Sequence, residues 1–268
     1  GVVPFSVVHL AGGEDGQRSR EGLKEPVFRI AKRVETINPA QAVHPLDPAI
    51  EIAKEGLAHI QGNLTDYSCT LVKQERVNGV LNEPEYIYSE VRSRKVENGR
   101  TVVPFSIYMY FLKPEIVKGR EVIYVEGQNE GKLVAHEGNF LKTFGAVWLK
   151  PDGPIAMRGN RYPITEAGVE NLIAKLIERG ERDRQRGECK VDFLRDAKIN
   201  GRSCTVLQVT HPESRPYFDF HIATIFIDNE LNLPVRYAAY LWPTKPGGKP
   251  ELLESYTYLN VKVNVGLS

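Results

Sequence analysis

Residues 67–94 read YSCTLVKQERVNGVLNEPEYIYSEVRSR, two β-prone runs on either side of Asn78-Gly79. Asn-Gly is the strongest short hairpin signal, because a tight two-residue turn needs positive φ at both central positions. The spacing predicts a two-residue loop in which Cys69 faces Tyr88 and Leu71 faces Tyr86. Alternation then sets these four on one aromatic, apolar face, with Ser68, Thr70, Gln74, Ile87 and Val91 on the other. Nothing in the ribbon is reactive, so it reads as a wall.

The same texture continues outward. Strand-like runs follow at 103–113, 121–127, 132–136 and 140–150, then at 189–209 (split by Asn200-Gly201), 217–228, 233–242 and 251–265. Short turns between them favour an antiparallel meander, and about eleven strands in one layer must curl. Two helical stripes interrupt the pattern. In 45–64, Asp47 is the expected N-cap, Pro48 suits the first turn, and Ile50, Ala53, Leu57, Ile60 and Leu64 share a face. In 164–184, Thr165 is the expected N-cap, with Val169, Leu172 and Leu176 as the stripe. The expected fold class is mainly β (α+β), a curled antiparallel sheet of about 11 strands forming a half-open barrel covered by two or more helices. Residues 1–45, polar and Pro-punctuated, are expected to be an extension or linker before a domain at 46–268. VVPFS occurs at both 2–6 and 102–106, which suggests strand mimicry or coincidence.

Composition narrows the function. The 268 residues are 41% hydrophobic and 26% charged, with a formal net charge of +1. That balance lacks the basic field of a nucleic-acid binder, and no apolar run is long enough to span a membrane as a helix. The start at Gly1, without a leader pattern, is consistent with a removed signal peptide. Cys69, Cys189 and Cys204 lack metal or redox spacing. One bridge plus a free thiol and three free thiols both remain open.

Candidate chemistry is sparse. GQNEGK at 127–132 lacks the spacing and the Ser or Thr of a phosphate loop and reads as a hairpin turn. There is no GxSxG elbow and no HExxH pair. Asp219 and His221 alternate on one strand and form the best dyad, though a nucleophile would have to come from elsewhere. No cofactor or metal is expected.

The faces say more. Ile107, Met109 and Phe111 alternate with Tyr108, Tyr110 and Leu112. Phe218, Phe220, Ile222 and Phe226 alternate with Ala223, Ile225 and Ile227. A sheet apolar on both faces is covered on both. One cover is helix; the other is either a guest molecule or more of the chain's own helix and loop.

Several stretches resemble a known family: DYSCTLVKQERVNG (66–79), KGREVIYVEGQNEGKLVAH (118–136), RYPITEAG (161–168), IDNELNLPVRYAAYLWP (227–243) and ESYTYLNVKVNVGL (254–267). It is a bacterial secreted family, a domain of unknown function, similar in fold to the outer-membrane lipoprotein carrier (LolA-like) superfamily. The resemblance covers roughly residues 46–268. The wider link rests on the helix, the curled sheet and the hairpin at Asp228–Val235. It implies a non-enzymatic, periplasmic or secreted protein that binds a lipid or lipoprotein acyl chain in a half-open barrel, and no site residue transfers with it. An acyl chain of sixteen carbons offers on the order of 10 kcal/mol of burial before ordering costs. The lining residues expected from the faces are Tyr86, Tyr88, Tyr108, Tyr110, Leu112, Trp148, Phe226, Tyr237 and Tyr240. The alternatives are an envelope sensor that docks a protein partner and, remotely, a hydrolase built on Asp219 and His221.

Overall fold

The computed structural model describes residues 28–29, 44–138 and 145–267, so the first VVPFS copy and residues 140–144 of an expected strand lie outside it. After β1 (Phe28–Arg29) come α1 (Asp47–Asn63), β2 (Asp66–Val77), β3 (Val80–Leu81) and β4 (Glu85–Arg92). A separate hairpin, β5 (Lys95–Glu97) with β6 (Arg100–Val103), precedes β7 (Ser106–Lys113), β8 (Glu121–Val125), β9 (Leu133–His136) and β10 (Val147–Leu149). Then follow α2 (Val169–Arg184), β11 (Lys190–Ile199), β12 (Arg202–Thr210), β13 (Ile222–Asp228), β14 (Pro234–Leu241) and β15 (Glu251–Val263).

Thirteen described strands form one antiparallel sheet in the order β1-β11-β12-β13-β14-β15-β2-β4-β7-β8-β9-β10, with β3 beside β2. The sheet curls without closing. The last strand, β15, pairs with the first long one, β2, and so joins two meanders into a single surface. The helices pack on each other and on the inner face. Along α1, Ala49 and Ile50 enter a cluster with Leu207, Phe220 and Ile225. One end further on, Ile60 and Leu64 enter a cluster with Leu71, Ile87, Phe111 and Ile173. The predicted stripe is therefore real, and it bridges both halves of the sheet.

Both predicted caps are replaced. Asp47 is inside α1, accepting a hydrogen bond from the His44 backbone N–H at 3.0 Å, while Leu46 holds the cap position. Thr165 lies in a 3-10 turn, and α2 begins after Gly168, whose φ of 96° disfavours a side chain. There the Val169 N–H donates to the buried Tyr67 hydroxyl at 3.1 Å. A residue 102 positions away does the capping, which no local pattern could announce.

The opening ribbon is shifted by one residue from the expected register. Asn78 and Gly79 have φ of 51° and 82° and close a two-residue turn, pairing Val77 with Val80 and Arg76 with Leu81. Beyond it the pairs are Lys73 with Glu85, Leu71 with Ile87, and Cys69 with Ser89. The chain takes up one extra residue between Leu81 and Glu85, where Pro84 has no N–H to give a ladder. One step of slip turns every side chain of β4 to the other face. Tyr86 and Tyr88 therefore stand opposite Val72 and Thr70, and Ile87 takes the inner position. The Asn200-Gly201 turn, with φ of 47° and 81°, closes β11 to β12 as read, and GQNEGK forms the turn between β8 and β9. All three cysteines are free, and burial pushes the Cys69 thiol up to about 12.

Candidate binding site between sheet and helices

Two hollows lie between the inner face and its covers. The first, about 370 Å³, has walls of Leu71, Ile87, Met109, Phe111, Val122 and Leu133. The segment that leads from β10 to α2 roofs it with Ile155, Ala156 and Ile164. The second, about 350 Å³, lies under α1 and α2 against Leu207, Val209, Ala223, Ile225 and Ile227. Both volumes sit at the lower end of small-molecule sites. Arg179 of α2 lines both.

The register builds the floor of the first hollow. Cross-strand pairing sets Tyr237, Tyr256 and Lys73 in one row and Ala239, Glu254 and Glu75 in the next. Three charges thus sit on the inner face of the sheet, and the roof answers them. Arg161 Nε donates to Glu254 Oε2 at 2.7 Å, and its backbone N–H donates to Glu75 Oε2 at 3.0 Å. Arg179 donates to the Tyr162 hydroxyl at 2.6 Å and to the Tyr237 hydroxyl at 3.1 Å, and lies 3.4 Å from Glu254 Oε1. The Tyr256 hydroxyl donates to Glu75, and Lys73 pairs with Glu85 at 2.8 Å. Burial alone would lower the Lys73 ammonium, but the carboxylates of Glu85 and Glu75 outweigh it and raise its pKa. Burial, then the neighbouring carboxylates of Glu254 and Glu75, drives the Tyr256 phenol far above its ordinary range. These phenols are permanent hydrogen-bond donors, not acids. The floor is a closed network of matched charges, and it fastens the roof to the sheet. At the rim, Arg120 pairs with Glu137 at 3.0 Å and Lys175 with Glu166 at 3.6 Å, all partly exposed.

Of the nine residues expected to line the cavity, Tyr237 borders a hollow. The other eight border neither of these two. Tyr86 and Phe226 are buried in a cluster on the outer face with Val72, Val235 and Leu259, and Leu112 packs against it. Tyr88, Tyr108 and Tyr110 face outward across β4 and β7, where Tyr88 bonds Glu90 at 2.7 Å and Tyr108 bonds Glu121 at 2.8 Å. Trp148 stands opposite Val134 on the same face, 58% exposed. Tyr240, on the outward alternation of β14, pairs with Ile222. The two-faced apolar pattern was legible, but aromatic bulk pointed to the wrong face. Lys73, Glu75, Arg161, Arg179 and Glu254 went unremarked. For Lys73, Glu75 and Glu254 the signal is alternation, Leu71-Lys73-Glu75 on one strand and Glu254-Tyr256-Tyr258 on another, which sets charge in line with core residues; Arg161 and Arg179 lie off the strands and carry none.

The Asp219–His221 dyad does not form. Asp219 accepts from Arg182 at 3.0 Å, while the His221 ring bonds the His211 carbonyl at 2.8 Å. Among the described residues no group of His, Cys, Asp or Glu could hold a metal ion, and no helix is long and apolar enough to cross a membrane.

A family model described as a protein of unknown function (DUF1571) matches residues 64–268. Comparison with curated proteins finds no match. Similar solved structures include a DUF1329 family protein from Desulfovibrio piger at 11% identity, covering 84% of this chain and 96% of that one, with a TM-score of 0.39. The MucA/MucB complex of Pseudomonas aeruginosa is 13% identical over 82% of this chain and 59% of that one, with a TM-score of 0.43. A LolA superfamily protein from Nitrosomonas europaea is 10% identical over 80% and 93%, with a TM-score of 0.27. At such scores the likeness decides nothing about function.

Proposed function

The chain belongs to the DUF1571 family, and we propose that it is a non-enzymatic binding protein for a lipophilic guest, working outside the cytoplasm. The guest is the acyl chain of a lipid or lipoprotein, held in the first hollow. One observation carries this reading. The curled sheet and its roof enclose about 370 Å³ that their own side chains leave open, behind walls of Leu71, Ile87, Met109, Phe111 and Val122. Matched charges close the floor, so the site offers a buried tail no unpaired ion. The paired charges of Arg120, Glu137, Lys175 and Glu166 at the rim suit a headgroup that stays wet.

Displacement of a fluorescent fatty-acid analogue from delipidated protein tests the reading. Binding is expected in the micromolar range or tighter, with a loss of at least about tenfold in Ala156→Trp, which fills the hollow from the roof. No binding by the wild-type chain, or undiminished binding by the variant, would overturn it. Export is tested separately by fractionating cells that express the full-length protein.

A second reading, a protein-docking module, is favoured by the outer face. Trp148 and Ile123, 58% and 44% exposed, stand in one cross-strand row with Val134 and Tyr108. Aromatic residues of this kind are enriched in interfaces. Loss of a captured envelope protein on Trp148→Ala, with fatty-acid binding untouched, would favour it.

A further inference from the structure

The second hollow ends at Asp183, beside which a buried ring nitrogen has no hydrogen-bond partner. Asp183, in the last turn of α2, borders this hollow and is 3% exposed. Its Oδ1 accepts from Arg182 Nε at 3.0 Å. Its Oδ2 stands 3.5 Å from Nε2 of His211, a fully buried side chain. The other ring nitrogen, Nδ1, lies 3.0 Å from the Phe220 carbonyl, which can only accept, so Nδ1 carries the hydrogen. In the neutral ring Nε2 is then a bare acceptor aimed at a carboxylate, and it has no hydrogen-bond partner. Phe218 stacks on the ring with centroids 3.8 Å apart and closes that side. With Asp183 ionised and the His211 ring neutral, Oδ2 and Nε2 are two acceptors 3.5 Å apart with no hydrogen between them.

Most of the remaining lining is apolar, with Ile50, Ala53, Leu207, Val209, Ala223 and Ile225, and it also includes Asn232 and the exposed Glu55 and His59. Its lining cation, Arg179, is committed to Tyr162, Tyr237 and Glu254. A carboxylate guest would bring a second negative charge to Asp183, with no free Arg or Lys among the described lining residues to receive it. An ammonium guest would meet Arg179 in the lining and Arg182 beside Asp183. A neutral hydroxyl meets neither objection and brings the missing donor.

We infer that the second hollow is a separate site for a neutral lipophilic alcohol, whose hydroxyl donates to Asp183 at the end nearest His211. This site stands apart from whatever occupies the first hollow. A polar site made for one donor rejects a guest that lacks it far more strongly than an apolar wall rejects a wrong length.

The probes are 1-dodecanol, dodecanoate and dodecylamine, each displacing Nile red from the full chain. Dodecanol is expected to bind at least about tenfold tighter than either ion, because each ion would be buried beside its own sign. Asp183→Asn keeps an acceptor but removes the charge, so the gap to dodecanoate should narrow to about threefold or less. Gly56→Phe provides a second, fold-safe variant. Gly56 lies within α1 and lines the hollow, and a Cβ there meets nothing within 4 Å. It should weaken dodecanol at least about tenfold by occupying the space. Ala156→Trp, which fills the first hollow, should leave dodecanol binding unchanged. Equal affinity for alcohol and acid, a gap that survives Asp183→Asn, indifference to Gly56→Phe, or loss on Ala156→Trp would each overturn the inference. A chain that fails on fatty acids but binds dodecanol loses the first reading and keeps this one.

Discussion

At the scale of single residues, two buried carboxylates, Asp228 and Glu254, show what buried charge does here, and both have identifiable partners. Asp228, fully buried at the hairpin between β13 and β14, accepts from Arg202 Nη2 at 2.9 Å and from the backbone N–H groups of Glu230 and Leu231 at 2.9 and 3.0 Å. Burial pushes its carboxyl up, but Arg202 and the two amides together leave it below its ordinary 3.8. A carboxyl depressed in the folded state binds protons better when unfolded. Its stabilisation is present above pH 3.8 and is lost as pH falls through the folded value. Asp228→Asn should therefore cost about 2 kcal/mol at pH 7, a figure kept low because Arg202 is 44% exposed. Urea unfolding at pH 7 and pH 3 checks this; a deficit equally large at pH 3 would point to packing instead of charge. Glu254, 1% exposed between Arg161 and Arg179, is the harsher case. Glu254→Leu leaves two guanidinium groups facing each other over the floor and should lose about 3 kcal/mol, measured the same way. A loss under about 1 kcal/mol would mean that the roof is held by contacts other than its ions.

At the scale of elements, the sequence spoke clearly where the signal is local and was silent where it is not. The α1 stripe, the two Asn-Gly turns and the antiparallel meander follow from residues near each other in the chain. The α2 cap could not be read, because Tyr67 supplies it from across the sheet. The phase of β4 could not be read either. Pro84 marks where the ladder can break before Glu85, but it does not say that one residue loops out there. Two of the expected lining residues were lost through that single step, since Tyr86 and Tyr88 were assigned the inward positions that belong to Ile87 and its neighbours. The consequence is testable by deleting Glu83, which removes the extra residue and runs the ladder from the Asn78-Gly79 turn straight into the observed pairs, Lys73 with Glu85 and Leu71 with Ile87. Ile87 and Val91 then stay inward, so urea unfolding should show a change of less than about 1 kcal/mol. A loss of several kcal/mol would show that the extra residue itself supports the fold.

At the scale of the whole molecule, the two meanders share β15 and β2 but keep separate hollows, and among the described residues Arg179 is the one side chain common to both linings. Its guanidinium spans from the Tyr162 hydroxyl in the roof to the Tyr237 hydroxyl on the floor. Burial alone would lower its pKa, yet the surrounding phenols and Glu254 raise it, so it stays charged. A permanently charged side chain between two apolar spaces is a partition: an apolar tail that crossed it would have to desolvate or displace the ion. Arg179→Met removes that barrier while keeping the length and apolar stem of the side chain. In the wild-type chain, filling either hollow should leave the other able to bind. In Arg179→Met, the two spaces should behave as one, so that Ala156→Trp now weakens dodecanol binding and Gly56→Phe now weakens binding of the fatty-acid analogue. A variant that stays folded by circular dichroism but still shows independent hollows would place the partition elsewhere, in the packing of Leu172 and Ile173 against the sheet.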